Sequence, residues 1–389
     1  TGGLVSGKAA LYAEQVFRNP SDYNCIEFED VFENRGKIGY FLPYTKALIE
    51  FKKGPNYITD LPLASKFVEM RRDTAKAASN PSVYQTEVIN GPIKPSEAFL
   101  VLDSGEFPTF ILKERLAKVE GNKEKYLDST LKGDLVFDNQ GQVEFKSIQG
   151  KRVIRNFPLQ KNDDRVGGVE LFAHPEQFKI NGSIPRGLFI AGADVVDKDK
   201  STTSSLPSIF VMNRLTREVV AEYTGRTDNA KDFYEICRKL TLFYNASLMY
   251  EKNLVGLFNH FDQYKCAYLL ADTPHQLRSS DTYKTSGNTS KGINATGKIN
   301  KIARDYTNSW LLEKLGINHS VTVAETLRSP ALIRELIMWN IDGNFDRVSA
   351  IGMMLWHDAT LYTKTPDAKK KEITGFLNSE YFRKQGLLI

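Results

Sequence analysis

From Gly187 onward the apolar and polar positions follow a regular course. Leu188 to Ala193 is apolar throughout and too short for a globular helix, so it predicts a buried strand ending on Asp194. A polar loop with Asp197, Asp199 and a Ser/Thr cluster comes next. Strands at 208–213 and 218–223 then complete an antiparallel meander with short polar turns. Phe233, Ile236, Cys237, Leu240, Phe243 and Tyr244 recur at helical spacing, with Thr227 or Asp228 as the expected cap. A strand Ala246 to Tyr250 ends at Glu251. Beyond it lie a helix carrying Leu254, Leu257, Phe258 and Phe261, and a strand Cys266 to Ala271. Helices are expected near 300–315, 330–341 and 345–363, the last packing through Val348, Ile351, Gly352 and Leu355.

The front of the chain is less regular. A short helix at 9–17 ends at Asn19-Pro20, since a residue before proline avoids the helical region. Short strands are expected at Cys25–Phe32 and Ile38–Phe41. A helix from Leu63 to about Ala78 carries Leu63, Phe67, Met70 and Ala77 as its apolar stripe, and Lys66, Arg71, Arg72 and Lys76 read as a solvated face. Pro95-Ser96-Glu97 starts a short helix anchored by Ala98-Phe99-Leu100. Residues 101–185 read as a helix over 111–119 and then short strands at 135–137, 143–145 and 169–172. Asp138 to Gly141 forms the hairpin turn.

Three meandering strands, a helix, a strand, a helix and a strand are the order of a ribonuclease H-like α/β fold, a mixed sheet flanked by helices. In such a sheet the first and fourth strands lie side by side, which would bring Asp194 and Glu251 together. Two close carboxylates repel, and a divalent cation relieves that repulsion. Asp346, at the start of the last helix, supplies a third acid, with Asp342 one turn earlier as its competitor. An acid at a helix start also favours the dipole alone, so Asp346 taken singly reads equally as structural. His174 and His357 have no partner for metal binding nearby in sequence.

Composition narrows the classes. The chain has 389 residues, a net charge of +5, 25% charged and 41% hydrophobic residues, which is ordinary for a globular protein. Polyanion binding must therefore come from local clustering. The densest cluster is the tract 278–304, with Arg278, Lys284, Lys291, Lys298, Lys301 and Arg304. It reads either as a phosphate-backbone contact or as a solvated loop. Gly292 to Lys298 has P-loop spacing, but Ile299 stands where a Ser or Thr should ligate magnesium and no apolar strand precedes it. Cys25, Cys237 and Cys266 are far apart, against a disulfide framework or a zinc site. No apolar run is long enough to span a bilayer. Opening on Thr1-Gly2-Gly3, the chain is expected to be a piece of a longer protein.

With these residues in hand the chain resembles the large terminase subunit of tailed double-stranded DNA bacteriophages. The nuclease half carries GADxxD at the end of the first strand, Glu251 to Gly256 as an ExNxxG segment, and Asp346 heading a late apolar helix. At the front, Thr1-Gly2-Gly3 resembles the family's coupling segment. Asn19-Pro20 with Tyr23-Asn24 resembles the family's stretch just beyond that segment, and Pro95 to Phe99 resembles its PxEAF segment. One departure is Arg347, where the family often shows a second acid.

The resemblance implies residues 1–100 as an ATPase-domain remnant and linker, 101–185 as a β-rich connecting segment or insertion, 186–364 as the nuclease domain, and 365–389 as a basic tail. It implies an endonuclease that cuts concatemeric DNA at packaging initiation and termination. Asp194, Glu251 and Asp346 would hold two Mg²⁺ or Mn²⁺ ions, with Asp197, Asp199 and Asp342 as further candidates. Double-stranded DNA, a small terminase subunit and a portal protein would be the partners, in the host cytoplasm. No ATPase activity is expected without Walker segments. A junction resolvase or recombinase on the same fold, and a non-catalytic DNA-binding assembly module, are the alternative readings.

Overall fold

A computed structural model describes residues 7–77, 81–99, 106–159, 165–196, 205–252, 255–274, 277, 290–316, 321–340 and 343–362. The chain divides into two compact units, 1–127 and 128–389.

The first unit holds helices α1 (Gly7–Arg18), α2 (Leu61–Lys76), α3 (Pro81–Asn90) and α4 (Thr109–Gly121). The expected strands shrink to a two-residue pairing, Phe28–Glu29 with Lys37–Ile38. Asp60 caps α2 by accepting the Leu63 N–H at 3.2 Å. The buried stripe of α2 is Ala64, Val68 and Ala75, while Leu63 and Met70 are exposed, one position away from the expected face. The cause is charge that needs a partner. Arg72, expected in solvent, turns inward to make a bidentate pair with the buried Glu97 at 3.0 and 2.8 Å. Glu97 also accepts the Ile93 N–H at 2.7 Å, so the single-turn helix Pro95–Ala98 is tied to both α2 and its own approach. Arg71 pairs with Glu87, and Lys76 lies over the Tyr84 ring.

The second unit is a mixed α/β layer. The seven strands of its main sheet are β1 (Leu131–Phe137), β2 (Val143–Ser147), β3 (Val169–Leu171), β4 (Phe189–Asp194), β5 (Ser208–Asn213), β6 (Val219–Thr224) and β7 (Ser247–Tyr250), in spatial order β7-β4-β5-β6-β3-β1-β2. All neighbours are antiparallel except β7 and β4, which run parallel. The order β7-β4-β5-β6 is compatible with a ribonuclease H-like sheet. Strands of the segment before residue 185 extend that sheet at the β6 edge. The Asp138 turn joins β1 to β2, its Oδ1 accepting N–H bonds from Gln140 and Gln142 at 2.8 Å each.

The expected strand over Cys266–Ala271 is mostly a 3-10 turn, Ala267–Leu269. Its backbone N–H groups at Leu269 and Leu270 bond back to Cys266 and Ala267. Only Leu270 is left to bridge Leu248 in parallel.

Side chains alternate between the two faces of the sheet. Phe189, Ala191, Ala193, Leu248 and Tyr250 join the core under α5 (Ala230–Tyr244) and α6 (Gly256–Gln263). Met249 faces the other way, into a cluster with Ile299 and Ala303 of α7 (Gly297–Leu312) and Met353 and Trp356 of α9 (Asp346–Tyr362). Between α7 and α9 in sequence lies α8 (Pro330–Met338). Among the described residues no helix is long and apolar enough to cross a membrane.

On this second face Gly192 sits against the backbone of α9. A Cβ there would meet Ala350 O and Met354 N at 2.3 Å and Met354 Cβ at 2.6 Å. Backbone cannot yield as a flexible side chain can, so Gly192→Ala should cost about 3 kcal/mol, the upper end for overpacking. Urea denaturation measures this. A variant as stable as the parent would show that α9 does not sit on this glycine.

Candidate active site

The parallel pairing sets the site. Tyr250 is in register with Ala193, so the next residues on each chain, Glu251 and Asp194, emerge beside one another at the carboxyl ends of β7 and β4. Beyond β7 the chain stays extended. Glu251 bridges Ile293 in parallel, Ile293 N–H donates to Tyr250 O at 3.0 Å, and Lys252 N–H donates to Ile293 O at 2.9 Å. Gly292 makes that approach possible. Its φ is +73°, and a Cβ would lie 2.9 Å from Lys252 Cβ and 3.0 Å from Tyr250 O. The glycine that begins the P-loop-like spacing thus serves to hold Glu251.

Asp194 and Glu251 line one cavity of about 310 Å³, walled by α7, by Trp339 and Phe345, and by Ser349 and Gly352 of α9. Crowding by protein, and then the charges of Asp346 and Glu251, push the Asp194 carboxyl well above its ordinary range. Asp346 is nearly buried, and burial pushes its carboxyl up too. The Leu206 N–H and the Ser205 hydroxyl pull against that shift. Its oxygens are engaged. Oδ1 accepts from Ser205 Oγ at 2.8 Å, and Oδ2 accepts from Leu206 N at 2.6 Å and Asn344 Nδ2 at 3.2 Å. Asp346 therefore clamps the chain entering β5 to the start of α9 while remaining within the electrostatic reach of Asp194.

Behind Asp346 lies a buried ion network. Arg347, 1% exposed, donates to Glu222 at 2.8 Å and Glu335 at 2.7 Å, and to the carbonyl of Ile154 at 2.7 Å. Glu335 also accepts the N–H groups of Arg347 and Val348 at 2.9 and 3.3 Å, capping α9 from α8. Burial, with Asp346 adding to it, raises the Glu335 carboxyl to about 7 despite Arg347. Sequence reading passed over Glu335. The signal was an acid on the same stripe as Leu332 and Leu336 in an otherwise apolar helix.

Of the expected basic residues, Lys291 is paired with Asp272 at 2.8 Å and donates to Leu270 O at 2.8 Å. Lys298 and Lys301 are exposed on α7. Arg304 lines the cavity, its guanidinium 4.8 Å from the Trp339 ring centre. Trp339 is half-buried in the cavity wall. Asp197, Asp199, Asp342, Arg278, Lys284 and the tail 365–389 lie outside the described residues.

Among the described residues no three Asp, Glu, His or Cys side chains are grouped to hold a metal ion. Asp194 and Glu251 do offer a pair of carboxylates to one cavity, and their charge suits a cation. Asp346 would have to exchange a present hydrogen-bond partner to join them.

No protein-family model matches the chain, and no curated protein matches it in sequence. Among solved structures, the large terminase nuclease from thermophilic phage G20c overlaps 43% of this chain and 80% of its own, at 8% identity and a TM-score of 0.28. The same nuclease with bound zinc overlaps 43% and 79%, at 10% identity and a TM-score of 0.28. Overlaps at that score carry no weight for fold or activity here, and the strand order above stands by itself.

The charges set two expected outcomes. A carboxyl whose folded pKa is raised stabilises fully only below its unfolded value, 3.8 in the ordinary case, and loses that contribution as pH rises through the folded value. Asp194→Asn should therefore melt at a higher temperature than the parent at pH 7, with the advantage disappearing as the pH falls below about 4. A lower melting temperature at neutral pH would mean that the charge is structurally compensated. Arg347→Met, which leaves Glu222 and Glu335 buried without their cation, should cost about 3–5 kcal/mol in denaturant titration. A loss below about 1 kcal/mol would show the network to be dispensable.

Proposed function

We propose that the chain is the nuclease portion of a tailed-phage large terminase subunit, a divalent-metal-dependent endonuclease acting on double-stranded DNA during packaging. The observation that carries this reading is the pairing of Asp194 and Glu251 at parallel strand ends in one cavity, with Asp346 close enough to perturb Asp194. The order of the sequence segments, GADxxD, ExNxxG and a late helical Asp, supports it. Residues 1–100 would then be the remnant of an ATPase domain and its linker. Small terminase subunit and portal would be partners in the host cytoplasm.

Asp194 and Glu251 are the residues that would hold the metal, joined by Asp346 if it releases Ser205. Two bound Mg²⁺ or Mn²⁺ ions would supply an acidified water and positive charge beside the departing 3′ oxygen. Cleavage joins a water oxygen to phosphorus and breaks the P–O3′ bond, and one water proton ends on the 3′ oxygen. The strand is left with a 5′-phosphate and a 3′-hydroxyl. The exposed Lys298 and Lys301 would contact phosphates without reading sequence.

A non-catalytic DNA-binding module is the reading favoured by the engaged oxygens of Asp346. Linear and supercoiled plasmid incubated with Mn²⁺, Mg²⁺ or EDTA separates the two. The nuclease reading expects metal-dependent, sequence-indifferent cutting that falls to background in Asp194→Asn while the variant stays folded. DNA binding with no cutting under any metal would establish the module instead.

A further inference from the structure

The described cations of the basic tract are not equivalent. Lys291 is committed to Asp272. On α7, Gly297, Asn300, Arg304 and Thr307 keep helical spacing and line the carboxylate cavity, while Lys298 and Lys301 are exposed and do not line it. Arg304 alone among these cations shares the cavity with Asp194 and Glu251. Its guanidinium is held 4.8 Å from the Trp339 ring centre, a cation–π contact. Trp339 is itself fixed in a row of rings, 6.3 Å from Phe345, which lies 5.5 Å from Phe157.

A phosphodiester entering this cavity meets two carboxylates that repel it. It needs a cation on its own side, and a planar guanidinium offers two parallel N–H groups to two phosphate oxygens. The side chain is half-buried and held against a ring, so little freedom is lost when it binds.

We propose that Arg304 is the phosphate clamp of the reaction cavity, gripping the scissile phosphodiester across from Asp194 and Glu251, with Trp339 as its positioning residue. This rests on the nuclease reading and deepens it: the surface lysines hold the duplex, and Arg304 holds the reacting group. Charge developing on the non-bridging oxygens in the transition state would strengthen its hydrogen bonds, so its contribution falls on turnover rather than on duplex affinity.

The test is steady-state cleavage of a fluorescent duplex oligonucleotide in Mn²⁺ by the wild type, Arg304→Ala, Arg304→Lys, Trp339→Leu and Lys298→Ala, with melting temperatures checked for each. Arg304→Ala should lower kcat about 10²–10³-fold, the range for losing one fixed donor to a developing oxyanion, with KM little changed. Arg304→Lys should recover only part of that, since an ammonium lacks the two-pronged geometry. Trp339→Leu should lower kcat with KM unaltered. Lys298→Ala should raise KM and flatten the salt dependence of binding, with kcat lowered far less than in Arg304→Ala. Equal behaviour of Arg304→Ala and Lys298→Ala, or full kcat in Arg304→Ala, would overturn the clamp while leaving the nuclease standing. A wild type that cuts no DNA would overturn the nuclease reading, and the clamp with it.

Discussion

The second unit depends on how closely α9 lies on β4. At Gly192 there is no side chain, and the helix backbone comes down to where a Cβ would stand. That approach brings the first turn of α9 over the carboxyl ends of β4 and β7. Both ends of the helix are then locked. At its start, Glu335 of α8 takes the first amide protons and Arg347 binds across to Glu222 of β6. Near its end, Asp358 accepts from Arg214 and Arg217, and His357 meets Ser247 at the start of β7. The helix is thus registered on three strands of the sheet through buried charge as well as apolar contact.

Within that frame the candidate site is the place where folding and charge conflict. Asp194 is crowded by protein and feels the charges of Asp346, Glu251 and Glu335, which folding alone would not favour. Behind Asp346 the fold does the opposite, giving Arg347 two carboxylate partners and a carbonyl. Crowded acids at the strand ends and a buried cation shared by two carboxylates are thus set into one sheet by the same helix.

The first unit applies the same rule at its own centre. Its apolar clusters are small, and a buried Glu97–Arg72 pair ties α2 to the turn that holds Pro95 and Ser96. A bidentate, buried pair is directional where apolar contact is not. That direction explains why α2 presents Ala64 and Val68 inward and leaves Leu63 and Met70 outside.

What could be read from residues alone was whatever depends on periodicity and order. The short apolar runs marked β4, β5, β6 and β7, and their order implied that Asp194 and Glu251 would be neighbours, as the parallel register places them. Helix spacing located α5 and α9, and the Asp138 turn located its hairpin. Where long-range partners decide, residue patterns were silent or misleading. The face of α2 turned toward Glu97, the Cys266–Ala271 run closed into a turn, and Asp346 took Ser205 and Leu206 as partners. Lys291, Lys298 and Arg304 look alike in sequence, yet one is tied to Asp272, one is exposed and one lines the cavity of the carboxylates. Local pattern is set by the pitch of the backbone, which each residue carries with it. The fate of a charge is set by which opposite charge, ring or solvent lies across the fold, and only the packed chain determines that.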